Sequence, residues 1–573
     1  WRCYTPRHMV WPSLRTFLRV PENLTGKGIR IALVDGSFAS HPDVASNGTR
    51  QTFLVNIAAP SPSPALLEAT PSPEWFKGGE HGTWAAAAAA GSGALSGGVY
   101  AGLAPEADFV LVAGWVPHRP HRPGATAVQD RVASLEWVRR HWREYGIRAV
   151  LTSHAEQESA LLPWQTEPQR RVAEALAAEG VLVVAGTGNV LDVICHVGVA
   201  AAPSTLAVGG VVLPEQAGLE CIDVDHAVAY HGSRGTTFEG KWVPEVLAPA
   251  ENVVLPYLTD GPVRDHFYAD SDAPILPRGY ARTEGASFSG PVVLGAAACV
   301  WQAHPAWTAG QVAAALVRTA IHQPHWAALR AGLLSVAAAV EAAPDLASAQ
   351  EKNGSEMPFA RWQAWRRQPV ATRLASVRGS DPKRAVEAFL SFLPDEAPPD
   401  VLDVARGVAA DGAASAEGRR RTAALCVLAT QPAALTSPLL ASRLDDPDAH
   451  VRAAAIHALG RRPDLWHELV APFRGAVNDP HPDVRHRALL LAAKRRDPQL
   501  VPALVAGLDE DVRLGTANLA ARCTALTAAT GVRFPEEPTW VVGECRYTER
   551  RRQARAQVAA SWQTWFADHP AAV

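Results

Sequence analysis

The sequence predicts a doubly wound, mostly parallel α/β sheet over residues 1–342 and an all-α array of paired helices over 376–573. Residues 343–375 form the linker and docking helix between them. Three observations lead there. Short apolar runs alternate with helical stretches through the first two hundred residues, as in a parallel sheet with crossover helices. A tight turn at Gly285-Ala286-Ser287 feeds a long small-residue helix. Near the C-terminus a signature of Asp, Val and Arg recurs, with Val451, Val484 and Val512 spaced 33 and 28 residues apart. That is close to the period of paired-helix solenoids.

Bulk properties narrow the class. The 573 residues are too many for one core and imply two to four domains. A net charge of -3 gives no case for bulk attraction to nucleic acid or to a membrane surface. No run of 18 apolar residues is present, so no membrane span is expected. No n-region/h-region leader is seen, although the chain starts at Trp1, so a secreted form with a removed segment stays open. The seven cysteines (Cys3, Cys195, Cys221, Cys299, Cys426, Cys523, Cys545) show no C-x-x-C spacing. They read as free, buried thiols, which favours a reducing, cytoplasmic setting.

Taken in order, residues 1–28 read as an irregular arm. Ile29 to Asp35 is a buried strand ending on an acid, as in open α/β sheets whose ligands bind at that edge. A dinucleotide site is excluded, because Gly36-Ser37 leads into Ser40-His41-Pro42-Asp43 and not into G-x-G-x-x-G. Residues 57–79 form a Pro/Ser-rich loop that ends at Glu80-His81-Gly82-Thr83-Trp84, before a small-faced helix over Ala85 to Ala90. His81 is either incidental there or presents its imidazole to a cleft. A strand over Asp108 to Ala113 and a helix over Ala127 to Tyr145 follow. Next come a strand over Ile147 to Ser153 and a helix over Gln165 to Gly180. A strand over Val181 to Gly186 closes on Thr187-Gly188-Asn189, and Leu206 to Val212 is one more.

The turn at 285–287 has two readings. Ser287 is an N-cap of an ordinary core helix, or a nucleophile set beside unpaired helix N–H groups, where negative charge is stabilised. Glycine permits the turn, and Pro291 is expected in the first helical turn, where its missing N–H has no partner to lose.

The chain order Asp35, His81, Ser287 on a parallel sheet separates this pattern from the Ser-Asp-His and His-Asp-Ser architectures. With V-D-G-S, H-G-T, A-G-T-G-N and G-A-S-F-S-G-P in sequence, residues about 10–342 resemble the subtilisin-like serine proteases. The resemblance implies a subtilisin-type fold and a set of roles. Ser287 would be the nucleophile, His81 the general base, and Asp35 the group that orients the imidazole. Asn189 and the Ser287 N–H would hold the oxyanion. Ser153, His154, Gly188 and Gly198 would line the substrate channel, and Asp192 is either a solvated loop acid or a preference for a basic side chain. No cofactor is expected. No dense acidic cluster with Ca²⁺ spacing is seen, so no metal ligand is assigned. Trp84, Ala286 and His154 depart from the family's pattern and point to a remodelled cleft. The arm before Asp35 is too short for the family's propeptide, which leaves prior removal or another form of control.

In the second half, Asp445-Asp446-Pro447-Asp448-Ala449-His450-Val451-Arg452 recurs as Asn478-Asp479-Pro480-His481-Pro482-Asp483-Val484-Arg485, and in shorter form at Asp509 to Arg513. This resembles HEAT-type repeats, which implies a solenoid with a protein-binding face. The Asp before each helix is expected to cap it, and Trp562 and Trp565 to lie on a capping helix. The Arg419–421 and Arg550–552 clusters read as solvated helix faces or as contacts to an acidic partner; nucleic acid is not favoured. The expected function is a serine endopeptidase that selectively cleaves a protein partner recruited by the repeats. The alternative is a protease-like scaffold acting through binding.

Overall fold

The computed structural model describes residues 13–70, 80–114, 127–152, 160–189, 197–213, 228–230, 232–256, 279–342, 357–411, 417–514, 518–534 and 549–569. After a short helix α1 (Leu14–Phe17) come strands β1 (Arg30–Asp35), β2 (Thr52–Asn56), β3 (Ala65–Leu66), β4 (Asp108–Ala113), β5 (Ile147–Thr152), β6 (Leu182–Gly186), β7 (Leu206–Val212) and β8 (Val228–Ala229). β9 (Gly235–Thr236) and β10 (Trp242–Val243) form a separate ribbon, followed by β11 (Val246–Pro256), β12 (Tyr280–Glu284) and β13 (Gly332–Leu333). The main sheet runs β12-β11-β7-β6-β5-β1-β4-β2-β3, with β8 on β7 and β13 on β11. From β2 through β11 every neighbour on that path is parallel, while β3, β8 and β12 are antiparallel additions.

The faces follow from the period of two along each strand. Ile31 and Leu33 of β1 face the layer of α2 (Glu80–Ala90) and, further along the chain, the helix Ala286–Ala303. Ala32 and Val34 face the opposite layer of α3 (Ala127–Tyr145) and α4 (Pro168–Ala178), so helices cover both sides. The helix Ala286–Ala303, α5, is long and apolar enough to cross a membrane, but 83% of that stretch is buried here, and it is a core helix. β1 lies between β4 and β5, where the winding direction changes. At such a point the loops beyond the strand ends splay apart and leave a crevice.

Several elements differ from the sequence reading. The helix expected from Gln165 begins at Pro168, because the Glu167 carboxylate caps it through the N–H groups of Gln169 and Arg170. α2 begins at Glu80, not Ala85, which puts His81 in its first turn. Pro291 lies inside α5, not in its first turn, and its missing N–H frees the Ser287 carbonyl from a helical bond.

The second half is helical. Its first helix, Pro358–Arg367, lays Trp362 edge-on against Trp164 at 5.2 Å, and the Trp362 indole N–H donates to the Leu390 carbonyl at 2.9 Å. Phe359 joins this seam at 6.5 Å from Trp164, and one apolar core runs from the α3/α4 face into the helical array. A cavity of about 650 Å³ lies along it, bordered by Trp164, Phe238, Glu239, Trp362, Trp365 and Arg419. The first arginine cluster divides: Arg419 is exposed, Arg420 donates to the Val377 carbonyl, and Arg421 is buried against Asp446. The side chains of the second cluster, Arg550, Arg551 and Arg552, fall outside the described residues.

The recurring signature has a physical meaning that the sequence reading only half reached. Asp448 caps its helix through the His450 N–H. In the next repeat, however, the His481 imidazole takes that role, accepting from the Asp483 N–H. Asp511 lies within the helix Leu508–Leu514. Asp446, Asp479 and Asp511 form a ladder: Arg421 reaches Asp446, Arg452 grips Asp479 with two bonds of 2.7 and 2.8 Å, and Arg485 reaches Asp511. Each arginine thus ties its repeat to the following one. Asp479→Ala removes the carboxylate from the mostly buried Arg452 guanidinium and leaves it only the Asp446 and Pro447 carbonyls. It is expected to destabilise the array by about 3–5 kcal/mol, read as a lower denaturant midpoint by circular dichroism. Trp562 is buried on the terminal helix Glu549–Asp568, edge-on to Phe534.

Candidate active site

Asp35 ends β1 at the crevice, with its side chain 1% exposed. One carboxylate oxygen accepts the Gly36 N–H at 2.6 Å, and both lie 2.9–3.0 Å from His81 Nδ1. The imidazole keeps 42% of its side-chain surface exposed, so its far nitrogen is reachable from the cleft. A second His–Asp pair, His41 and Asp43, is fully buried; burial holds His41 down at about 4, and it has no route to a substrate. Desolvation opposes charge on His81 too, but the charge and hydrogen bond of Asp35 outweigh it and raise its pKa above the ordinary value.

Local sequence explains the placement of His81. A Cβ on Gly82 would lie 2.2 Å from the Ser37 carbonyl oxygen, so only glycine lets α2 approach the loop that leaves Asp35. Thr83 accepts the Ala39 N–H at 2.8 Å and pins the same loop. Trp84 is buried: its indole N–H donates to the Pro256 carbonyl, and its ring meets Phe288 edge-on at 6.1 Å. Phe288 in turn lies 5.9 Å from the His81 ring. Phe288 therefore lies beside the imidazole with Trp84 packed against it, an arrangement the sequence did not reveal.

The serine turn is built from β11 and β12. Gly285 has φ +148°, a conformation that favours glycine, and its N–H donates to the Ala250 carbonyl at 2.7 Å. Ser287 is the second residue of α5 and is partly exposed. It immediately precedes Phe288, whose ring lies 5.9 Å from that of His81, which sets the turn beside the imidazole; among the described residues the Ser287 hydroxyl makes no hydrogen bond, to His81 or to any other. Asn189 follows β6, and its side-chain carbonyl accepts the Ala286 N–H at 2.7 Å. That leaves the amide NH₂ as its remaining donor group. Asp35, His81, Asn189 and the Ser287 turn thus gather at one sheet edge.

The expected channel residues are less uniform. Gly188 sits beside Asn189 at φ +90°, with its carbonyl accepting the Ser233 N–H. Gly198 is buried, and its carbonyl is held by the Arg170 guanidinium at 3.2 Å. Ser153, His154 and Asp192 lie outside the described residues. Among the described residues no cluster of three or more metal-ligating side chains occurs.

Residues 26–356 match the sequence profile of the subtilase family. The chain belongs to the subtilase family. A second match, to HEAT repeats, covers residues 436–523. Serine protease AprX of Bacillus subtilis (strain 168) is 26% identical over 301 residues, 52% of this subtilase and 62% of that protein. The minor extracellular protease Vpr of the same organism is 34% identical over 96 residues, 16% of this chain and 10% of Vpr. The chain thus spans less than two thirds of the length of either relative. Among solved structures, fervidolysin from Fervidobacterium pennivorans, a keratinolytic enzyme related to subtilisin, aligns with a TM-score of 0.41 and 18% identity, over 58% of this chain and 45% of its own. The protease domain of PatA aligns with a TM-score of 0.39 and 21% identity, over 58% of this chain and 100% of its own.

Proposed function

We propose that this subtilase is a serine endopeptidase that makes selective cuts in a protein partner. The observation that carries the reading is the Asp35–His81 hydrogen bond, which presents an exposed imidazole beside the Ser287 turn. With Nδ1–H donated to Asp35, the far nitrogen is the basic one. It takes the proton from Ser287 as the hydroxyl oxygen attacks the scissile carbonyl, and Asp35 stabilises the resulting imidazolium. The carbonyl oxygen becomes an oxyanion and receives the Asn189 NH₂ and the Ser287 N–H. His81 then returns the proton to the leaving amine. Water then bonds the acyl carbon through its oxygen while giving a proton to the same nitrogen, and His81 passes that proton to the Ser287 oxygen as the acyl group leaves as a carboxylic acid.

Selectivity is the finer part of the proposal. Trp84 packs on Phe288, the ring beside the imidazole, and the helical array, fixed to the rear of the sheet through Trp362, is the surface on which a protein partner would be held. Work in a reducing compartment is supported by Cys299, Cys426 and Cys523, which are buried thiols outside any disulfide. The test is labelling of the full-length wild-type chain with a fluorophosphonate probe, followed by mapping of new N-termini in cells. A few defined cleavage sites are expected. A chain that never labels, with or without its partners, would sink the proposal and leave the scaffold reading.

A further inference from the structure

Beside Asn189 lies a hydroxyl that the expected machinery does not use. Tyr230 follows β8, is 3% exposed, and places its hydroxyl oxygen 3.4 Å from Asn189 Oδ1 and 3.4 Å from Glu284 Oε1. Its place is built into the fold. The Tyr230 N–H donates to the Gly210 carbonyl at 3.0 Å, and a Cβ on Gly210 would lie 2.8 Å from the tyrosine's own Cβ. The ring packs in one small cluster with Ala250 and Ala286, the residue just before Ser287.

The chemistry of a primary amide gives this hydroxyl a purpose. The Asn189 carbonyl already accepts the Ala286 N–H. A half-turn of the amide would set NH₂ against that N–H, donor facing donor, and would turn the carbonyl toward the developing oxyanion. We propose that Tyr230 is a positioning residue of the oxyanion site: its O–H gives the Asn189 carbonyl a second donor, so that the NH₂ group faces the cleft. Glu284, two residues before Ala286, is a second acceptor at the same distance, so the single hydroxyl proton is shared between the carboxylate and the Asn189 carbonyl. Tyr230 touches neither the substrate nor the reacting atoms and acts through Asn189. Its effect therefore belongs to the step in which negative charge forms on the carbonyl oxygen, not to substrate binding.

This inference rests on the peptidase reading, and the experiment separates the two. Tyr230→Phe, Asn189→Ala and the double variant are compared in the full chain by the rate of fluorophosphonate labelling and by peptide hydrolysis, both normalised to titrated active sites. Tyr230→Phe is expected to lower kcat about 3- to 10-fold with KM unchanged, the size of one lost neutral hydrogen bond. In the Asn189→Ala background the same change has no amide to orient and is expected to do nothing measurable. An equal loss in both backgrounds, a loss expressed in KM, or no loss at all in the wild-type background overturns the positioning role while leaving the peptidase reading intact. A wild-type chain that never labels overturns both.

Discussion

Ser287→Ala is expected to abolish hydrolysis and probe labelling while leaving the fold unchanged. The hydroxyl makes no hydrogen bond to another described residue, so its removal takes away reactivity and almost no packing. Alanine also suits the helical first turn that Ser287 occupies. The expected loss is about 10⁶-fold in kcat, a size borrowed from subtilisin, the type enzyme of this family. The measurement is turnover of a peptide found by N-terminus mapping, beside a thermal unfolding curve. A variant that still cuts at a substantial fraction of the wild-type rate would show that another group attacks.

The second large effect concerns Asp35. Asn in its place keeps the shape but removes the charge, and its NH₂ end would meet the imidazole donor to donor and favour the wrong tautomer. A fall of about 10⁴-fold in kcat is expected at neutral pH. The same change moves the pH profile. His81 must be neutral to accept the Ser287 proton, so kcat/KM falls as pH drops through its pKa. The Asp35 carboxylate holds that pKa above the 6.5 of a free imidazole. With the carboxylate gone, only the opposing effect of burial remains, and the acid limb moves to lower pH. A limb that stays in place would show that some other group titrates there.

What the sequence made legible is what lies close along the chain or repeats. β1 was visible because Ile31 to Val34 are four apolar neighbours running up to the acid that ends them, and the serine turn because Gly-Ala-Ser meets a long run of small residues. β11 was missed. Two prolines, Glu251 and a left-handed Asn252 break its pattern, and the ladder shifts register between Pro249 and Glu251, yet every residue of it is buried. The first turn of α2 was misread because Gly82 is a poor helix former, retained for its closeness to Ser37. Trp84 and Phe288 lie 204 positions apart, and no periodicity announces such a contact. The repeat spacing was plain, but the cap in the second repeat passed from aspartate to His481. Asp479 keeps the part that Asp446 plays one repeat earlier, as acceptor for the neighbouring arginine.

The aromatic seam between Trp164, Phe359 and Trp362 bears on how the molecule can be dissected. A fragment ending near residue 342 would leave the Trp164 indole uncovered along with part of the α3/α4 layer, and such a fragment invites self-association. The helices taken alone would carry the matching bare strip. Truncation is therefore a poor way to ask what each half does, and point changes on the outer surface of the intact polypeptide are the better instrument.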